Sequence, residues 1–401
     1  MPQRAYTYVI VGGGLAGGHA VEGIRERDRS GSILLIGSEK HLPYERPDLS
    51  KKLWFGKKKV ENIFAHKEPF YAENGVDLAL GVEVAAVDPG ARIVRDAQGH
   101  EYGYRKLLLA TGGAPRRLDI PGGALEGVCY YRYLDDYLRI RALAAEGKSA
   151  IVVGGGFIGS EMAAALNINK LQVTMVFPGP YLVHRIFPES LGRAIQAHYV
   201  ERGVEVLTGD APAAFEPKGE GFVVRTRGGR ALESEILIVG VGIAPSVGLA
   251  EQAGLRVEDG IVVNEYLQAS HPDLYAAGDI ARFPYQALGQ MMRIEHWDNA
   301  VNQGKHAGRN MAGAGEPFTY MPYFYSDLFE FGYEAVGDVT AQLETVTDWE
   351  KENAKGVVYY LKDGKVRGAM MCDVWEKVEA ARELIRKGAR VTTRDLAGAI
   401  R

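Results

Sequence analysis

The chain has 401 residues, enough for two or three domains, and its 46% hydrophobic and 24% charged residues are those of an ordinary globular protein with ample core. A formal net charge of −4 excludes the basic surface that bulk nucleic-acid binding requires. Two cysteines, Cys129 and Cys372, without a CxxC spacing exclude both a disulfide framework and a dithiol relay.

The first strand is read over Tyr6 to Val11, apolar on both faces, as in a buried parallel sheet. It runs into Gly12-Gly13-Gly14-Leu15-Ala16-Gly17, after which a helical pattern extends to Arg27. Strand, glycine turn and helix in this order form a dinucleotide-binding unit. Gly12 allows the tight turn, Gly14 lets backbone approach a diphosphate, and Gly17 lets the helix pack close on the strand. The diphosphate then meets free N–H groups at a helix N-terminus. A second strand covers Ile33–Ile36, and Glu39 follows it, 22 positions beyond Gly17, where an acid can accept from a ribose diol or simply be a solvated loop residue. Pro43 to Lys51 is too rich in turn residues to be a strand and reads as a loop carrying cations.

Further strands are read at Val82–Val87, Arg92–Arg95 and Leu107–Ala110, the last ending in Thr111-Gly112-Gly113. Asp119-Ile120-Pro121-Gly122-Gly123 breaks regular structure and marks a crossing between domains. A helix from Leu134 to about Ala145 leads into Ile151-Val152-Val153-Gly154-Gly155-Gly156-Phe157-Ile158-Gly159, the same glycine turn 142 positions on. Its helix runs to Asn169 and its next strand is Val173–Phe177. Two such units predict two dinucleotides. The second strand ends in Phe177-Pro178-Gly179-Pro180 without an acid, and His184-Arg185 stand nearby, so NADH and NADPH are both open on physical grounds.

Phe222–Thr226, the Gly228-Gly229 turn and the stretch from Ala231 predict an antiparallel hairpin. Ile236–Val239 runs into Gly240 and Gly242 and mirrors the Leu107–Gly113 stretch. Leu274–Ala277 ends in Gly278-Asp279, which puts Asp279 at the strand's carboxyl edge, where open α/β sheets bind ligands. Ile294-Glu295-His296-Trp297 opens a helix to Met311. Strands follow from about Met321, with Asp363-Gly364 as a hairpin turn, and a last helix is expected from Asp373 as N-cap to Gly388, carrying Trp375. Arg390, Arg394 and Arg401 in the tail are a solvated surface or a weak basic strip. No metal-ligand motif is read. The first strand begins too early for a signal peptide, no apolar run reaches the roughly 18 residues of a membrane span, and the isolated thiols suit a reducing compartment, so the cytoplasm is the expected location.

With these pieces in place, the chain resembles the pyridine-nucleotide-dependent flavoprotein reductases over nearly its whole length. Within them it is similar to apoptosis-inducing factor and to the ferredoxin reductases of dioxygenase and P450 systems. The residues carrying the resemblance are Gly12–Gly17, Glu39, Arg46-Pro47 with Leu49-Ser50-Lys51, Ala110-Thr111-Gly112, Gly154–Gly159 with Glu161, and Ala277-Gly278-Asp279. Val176-Phe177-Pro178, Phe324 to Leu328 and Gly332 to Ala335 lean toward the apoptosis-inducing-factor branch.

The resemblance implies an α/β protein of glutathione-reductase-like architecture: two Rossmann-like dinucleotide-binding domains, for FAD and NAD, plus a C-terminal α+β domain. The FAD domain would take residues 1–118 and 246–320, the NAD(P)H domain 119–245 and the C-terminal domain 321–401. FAD would lie over Gly12, Gly14, Leu15, Ala16 and Gly17, with Glu39 on its adenosine ribose and Val84 at its adenine edge. Ala110, Thr111, Gly112, Arg46, Arg132, Gly278 and Asp279 would hold other parts of it, and Glu295, His296, Trp297 and Tyr325 would approach the isoalloxazine. The nucleotide would use Gly154, Gly156, Phe157, Ile158, Gly159, Phe177 and Gly242. Lys51 and Glu161 match an ion pair beside the flavin. Its rationale is that a fixed cation stabilises a ring gaining negative charge, while the carboxylate keeps a partly buried lysine charged. Read without the resemblance, Glu161 is also explained as an acid of a first helical turn, favoured by the macrodipole.

Tyr325 stands where relatives often carry Trp, and the Leu42–Leu49 stretch lacks the cysteine of related peroxidases, which disfavours thiol chemistry. The branch with Phe-Pro at 177–178 uses NADH. The expected activity is therefore hydride transfer from NADH to FAD and electron delivery to a small iron–sulfur protein of ferredoxin or rubredoxin type, from a monomer or homodimer. The alternative is a slow, apoptosis-inducing-factor-like NADH sensor whose redox state controls dimerisation and partner binding.

Overall fold

Tyr8, Val9, Ile10 and Val11 are all buried, as a strand needs to be when it lies in the middle of a parallel sheet covered on both faces. In the computed structural model, which describes residues 4–400, Arg4–Val11 runs parallel to Ile33–Gly37 on one side and Glu101–Leu109 on the other, with Val9 beside both Leu34 and Leu107. Val76–Leu80 extends the sheet past Ile33–Gly37, and Leu274–Ala276 extends it past Glu101–Leu109, both parallel. The amino-terminal half of Glu101–Leu109 instead pairs antiparallel with Ile93–Asp96, which pairs with Val84–Asp88.

Contacts divide the chain into two units. One comprises Met1–Glu45, Val60–Ala114 and Ala244–Pro322; the other comprises Arg46–Lys59, Pro115–Ile243 and Tyr323–Arg401. In the first, the helices Leu15–Arg25 and Trp297–Met311 meet backbone to backbone. A Cβ on Gly304 would stand 2.2 Å from the Ala16 carbonyl oxygen, so glycine sets that approach.

The second unit contains a parallel sheet in the order Glu205–Thr208, Gln172–Phe177, Ser149–Val153, Ile236–Val239, Cys129–Tyr130. Its core gathers Ile151, Val153, Val176 and Val239 with Phe215 and Val224 of an antiparallel three-stranded sheet. Five antiparallel strands follow in the order Tyr323–Leu328, Phe331–Gly337, Lys365–Cys372, Lys355–Lys362, Glu344–Lys351. Their hairpin turn places Asp363 at φ 55° and Gly364 at φ 71°, the paired positive angles that an Asp-Gly turn supplies. The protein is thus α/β with two Rossmann-like sheets and a carboxyl-terminal sheet.

Two element readings change. The last helix spans Val378–Lys387, not the stretch from Asp373. Asp373 and Glu376 have φ of 50° and 62°, incompatible with helix, and Trp375 lies outside it, its ring against Gly332. Ile294–His296 precede the Trp297–Met311 helix as extended chain, His296 being its cap. The expected stop at Gly388 is present as a left-handed cap with φ 56°. Arg401, one of the tail arginines, lies outside the described residues. Among the described residues no helix is long and apolar enough to cross a membrane.

Candidate functional site

The two glycine turns share one construction. Gly12 has φ +129° and Gly154 has φ +125°, angles that side chains rarely adopt. A Cβ on Gly17 would lie 2.0 Å from the Gly12 carbonyl oxygen, and one on Gly159 would lie 2.0 Å from that of Gly154. The middle glycines differ from these: a Cβ on Gly14 or on Gly156 would meet no atom within 4 Å. Gly12, Gly17, Gly154 and Gly159 are therefore fixed by the protein's own backbone, while Gly14 and Gly156 face open space. The helices that start there, Leu15–Arg25 and Phe157–Ile168, carry no acid in their first turns. Each turn thus fits a diphosphate approached by backbone N–H groups.

In the first unit several of the other predicted residues follow the carboxyl ends of parallel strands: Glu39 after Ile33–Gly37, Ala110 to Gly112 after Glu101–Leu109, and Gly278 and Asp279 after Leu274–Ala276. Leu15 and Ala16 are buried, and Glu39, just past Ile33–Gly37, accepts a 2.6 Å hydrogen bond from the Tyr44 hydroxyl. Val84 opens its strand, Ala110 is buried, Thr111 Oγ1 donates to the Ser246 carbonyl at 3.0 Å, and Gly112 takes φ +61°. Gly278 also has positive φ, +80°, and its N–H donates to Gln303 Oε1 at 2.9 Å. Arg293 donates to the Asp279 carbonyl at 2.9 Å and pairs with Glu295 at 2.6 Å. Burial pushes the His296 imidazole down to about 3, which keeps it neutral, and Trp297 begins the helix behind it.

The second unit holds the Lys51–Glu161 pair. Lys51 Nζ donates to Glu161 Oε1 at 2.6 Å, and both residues are 4% exposed. Glu161 is the fifth residue of its helix and is not among its first-turn residues, so the macrodipole does not account for it. Its carboxylate is saturated instead. Ser50 Oγ donates to Oε2 and Ser326 Oγ to Oε1, each at 2.5 Å. A buried carboxylate persists when its lone pairs are filled by a cation and hydroxyls in this way. The Tyr325 ring centroid lies 5.4 Å from Lys51 Nζ, a cation–π distance. Burial raises the pKa of Asp327, with Lys51 opposing and Glu161 adding to the rise.

Arg46 Nη1 donates to the Arg132 carbonyl at 3.1 Å, which brings those two predicted residues together. Phe157 makes an edge contact with Phe324 at 5.5 Å, Ile158 is 37% exposed, and Gly242 has φ +97° with little around it. Phe177 is only 2% exposed; a Cβ on Gly155 would meet its ring at 2.6 Å, so this side chain supports the turn from beneath. Both cysteines are fully buried, and burial pushes the Cys129 thiol up to about 12 and raises that of Cys372. The sequence reading missed the roles of Ser50 and Ser326. Both lie in stretches it singled out, but nothing local links either hydroxyl to Glu161.

Residues 6–304 match the pyridine nucleotide-disulphide oxidoreductase family, and residues 307–355 match the carboxyl-terminal segment of the mitochondrion-associated apoptosis-inducing factor. The chain is 31% identical to a monodehydroascorbate reductase of Pisum sativum, covering 92% of this chain and 91% of that one. Its fold superposes with a TM-score of 0.91 on a putidaredoxin reductase solved in covalent complex with putidaredoxin, at 29% identity over 99% of this chain and 96% of that chain. The ferredoxin reductase for the CYP199A2 system of Rhodopseudomonas palustris also gives 0.91, at 29% identity over 98% and 97%. Twin glycine turns, two Rossmann-like sheets and these likenesses agree, and the chain belongs to the pyridine nucleotide-disulphide oxidoreductase family.

Proposed function

We propose that this FAD- and pyridine-nucleotide-dependent oxidoreductase takes hydride from NADH and passes electrons singly to a small iron–sulfur protein of ferredoxin type. The observation that carries the reading is the pair of diphosphate cradles joined, in one chain, to the buried Lys51–Glu161 pair and to cysteines that are both inaccessible. The turn at Gly12–Gly17 would hold the FAD diphosphate, and the turn at Gly154–Gly159 that of the nucleotide. FAD supplies a centre that accepts two electrons as hydride and releases them one at a time. The protein contributes binding, orientation and a fixed charge. Lys51 would counter negative charge gained at the flavin, and Glu161, locked by Ser50 and Ser326, holds the ammonium in one place.

Relatives named for reduction of monodehydroascorbate, and neighbours named as reductases of putidaredoxin and ferredoxin, support an acceptor to which electrons leave without a protein thiol. An anaerobic titration followed by visible spectroscopy tests the first half: NADH should bleach the bound flavin stoichiometrically. The second half is tested by offering ferredoxin, rubredoxin, monodehydroascorbate, quinone and oxygen to the reduced protein, with ferredoxin giving the highest turnover. Protein that bleaches with neither NADH nor NADPH refutes the proposal.

The match of residues 307–355 to apoptosis-inducing factor favours a second reading, a slow NADH-sensing protein whose oligomeric state follows its redox state. Dimerisation on NADH addition, with turnover far below one per second on every acceptor, would select it.

A further inference from the structure

Among the described residues, His19, Glu22 and His66 place their ligand atoms within 4.8 Å of one another. His19 and Glu22 are one helical turn apart on Leu15–Arg25 and share a face. His66 comes from the loop before Glu68–Glu73, where its ring stacks on Phe70 at 3.9 Å and 18° and meets the His19 ring edge-on at 5.1 Å. Both imidazoles converge on one oxygen: His19 Nδ1 is 2.9 Å, and His66 Nε2 2.7 Å, from Glu22 Oε1. His66 Nε2 is enclosed, yet despite this distance it has no hydrogen-bond alignment with any acceptor. The side chains are 16%, 24% and 16% exposed, so the cluster is walled on most sides and open on one.

We propose that His19, Glu22 and His66 form a divalent-metal site of zinc type, which clips the Leu15–Arg25 helix to the loop carrying His66. Nδ1 of His19, Nε2 of His66 and a Glu22 oxygen supply three ligands, and water takes the open fourth position. Two imidazoles and one carboxylate suit zinc and its first-row neighbours rather than magnesium or calcium, which prefer all-oxygen shells. The nearest competing cation is Lys305, 3.5 Å from Glu22 Oε2. It also pairs with Glu26 at 2.7 Å, so it keeps a partner when the metal takes Glu22.

The test uses the FAD-loaded full chain, stripped with a chelator, incubated with zinc chloride and freed of excess by gel filtration. Elemental analysis should find about one zinc per chain, lost in His19→Ala and in His66→Ala, with retained flavin absorbance reporting that each variant is folded. Wild-type protein without bound zinc, or folded variants that hold as much as wild type, overturns the proposal. A second measurement needs no variant. Zinc should shield His19 and His66 from diethyl pyrocarbonate, read by mass spectrometry, while leaving reactive His198, whose side chain on the Glu189–Glu201 helix is 31% exposed; equal modification of His19 and His66 with and without zinc also overturns it.

Discussion

Lys51 and Glu161 are 110 positions apart in sequence, yet their charged groups meet at 2.6 Å in a fully enclosed setting. Removing either partner leaves the other charged and buried, which costs about 3–5 kcal/mol where nothing relaxes. On the proposed role, Lys51→Ala and Glu161→Ala each slow flavin reduction by NADH by about 10²–10³, the scale of losing one preorganised electrostatic contact, while FAD stays bound. Ser326→Ala removes one hydrogen bond to a charged group, worth about 1.5–3 kcal/mol, and leaves Ser50 and Lys51 in place. Its reduction rate should therefore fall between wild type and Glu161→Ala. Stopped-flow reduction of the three variants gives the ordering, and wild-type rates in both Lys51→Ala and Glu161→Ala remove the role assigned to the pair.

The cradles were legible in the sequence because their chemistry is local. Nine consecutive residues contain strand, turn and helix start, and backbone sterics alone explain Gly12 and Gly17. The lock on Glu161 was not legible. Ser50 and Ser326 lie 111 and 165 positions from it, and a serine carries no mark of a distant partner. Val76–Leu80 escaped notice because its apolar pattern is short and broken by Asp77, which accepts from the Tyr6 hydroxyl at 2.7 Å. Asp373 has the chemistry of a helix cap, but its N–H is taken by the Gly332 carbonyl at 2.9 Å, so sheet contacts carry the chain onward before the helix begins. Pairing across the sheet there outweighed a local preference.

The proposed electron path uses no thiol, so both cysteines should be dispensable for turnover. Cys129 and Cys372 are fully buried, and burial holds both thiols protonated near neutral pH. The double variant Cys129→Ala, Cys372→Ala should keep NADH-to-acceptor turnover within about twofold and lose roughly 1 kcal/mol of stability per site. Native wild-type protein should resist iodoacetamide. Turnover abolished in a variant that still binds FAD would restore a thiol to the electron path.

Nucleotide choice turns on the end of the Gln172–Phe177 strand. A Cβ on Gly179 would lie 2.4 Å from His184 Nδ1, so no side chain, acidic or otherwise, fits there without moving the histidine. Burial, and then the neighbouring Arg185, lower the His184 pKa, so His184 is neutral at pH 7 and offers no charge to a 2′-phosphate. Arg185, exposed, remains as the cation of the pair. NADH should accordingly show the higher kcat/KM. Arg185→Ala should lower that for NADPH by at most about fivefold, as for an exposed ion pair. Steady-state kinetics with both nucleotides measure this, and a strong NADPH preference reverses the assignment.

His306 gives a pH dependence whose sign is fixed by its neighbours. Its Nε2 lies 2.7 Å from the Glu316 carbonyl, which can only accept, and its Nδ1 lies 3.1 Å from the Arg309 guanidinium, which can only donate. The ring is therefore neutral, with its proton on Nε2. Burial is the main cause of its lowered pKa, and Arg309 adds to it. In the unfolded chain the imidazole titrates near its ordinary value of about 6.5. Below that pH the unfolded state takes up a proton that the folded state resists, so stability is full above it and declines as pH falls toward the lower folded value. The contribution lost is up to about 1.4 kcal/mol per pH unit. His306→Gln keeps a donor for Glu316 and has no proton to gain. In denaturant melts between pH 7.5 and pH 5.5, the wild-type advantage over this variant should shrink as pH drops; a constant gap would mean that folding leaves the His306 pKa unshifted, and a widening gap that the folded protein favours its charged form.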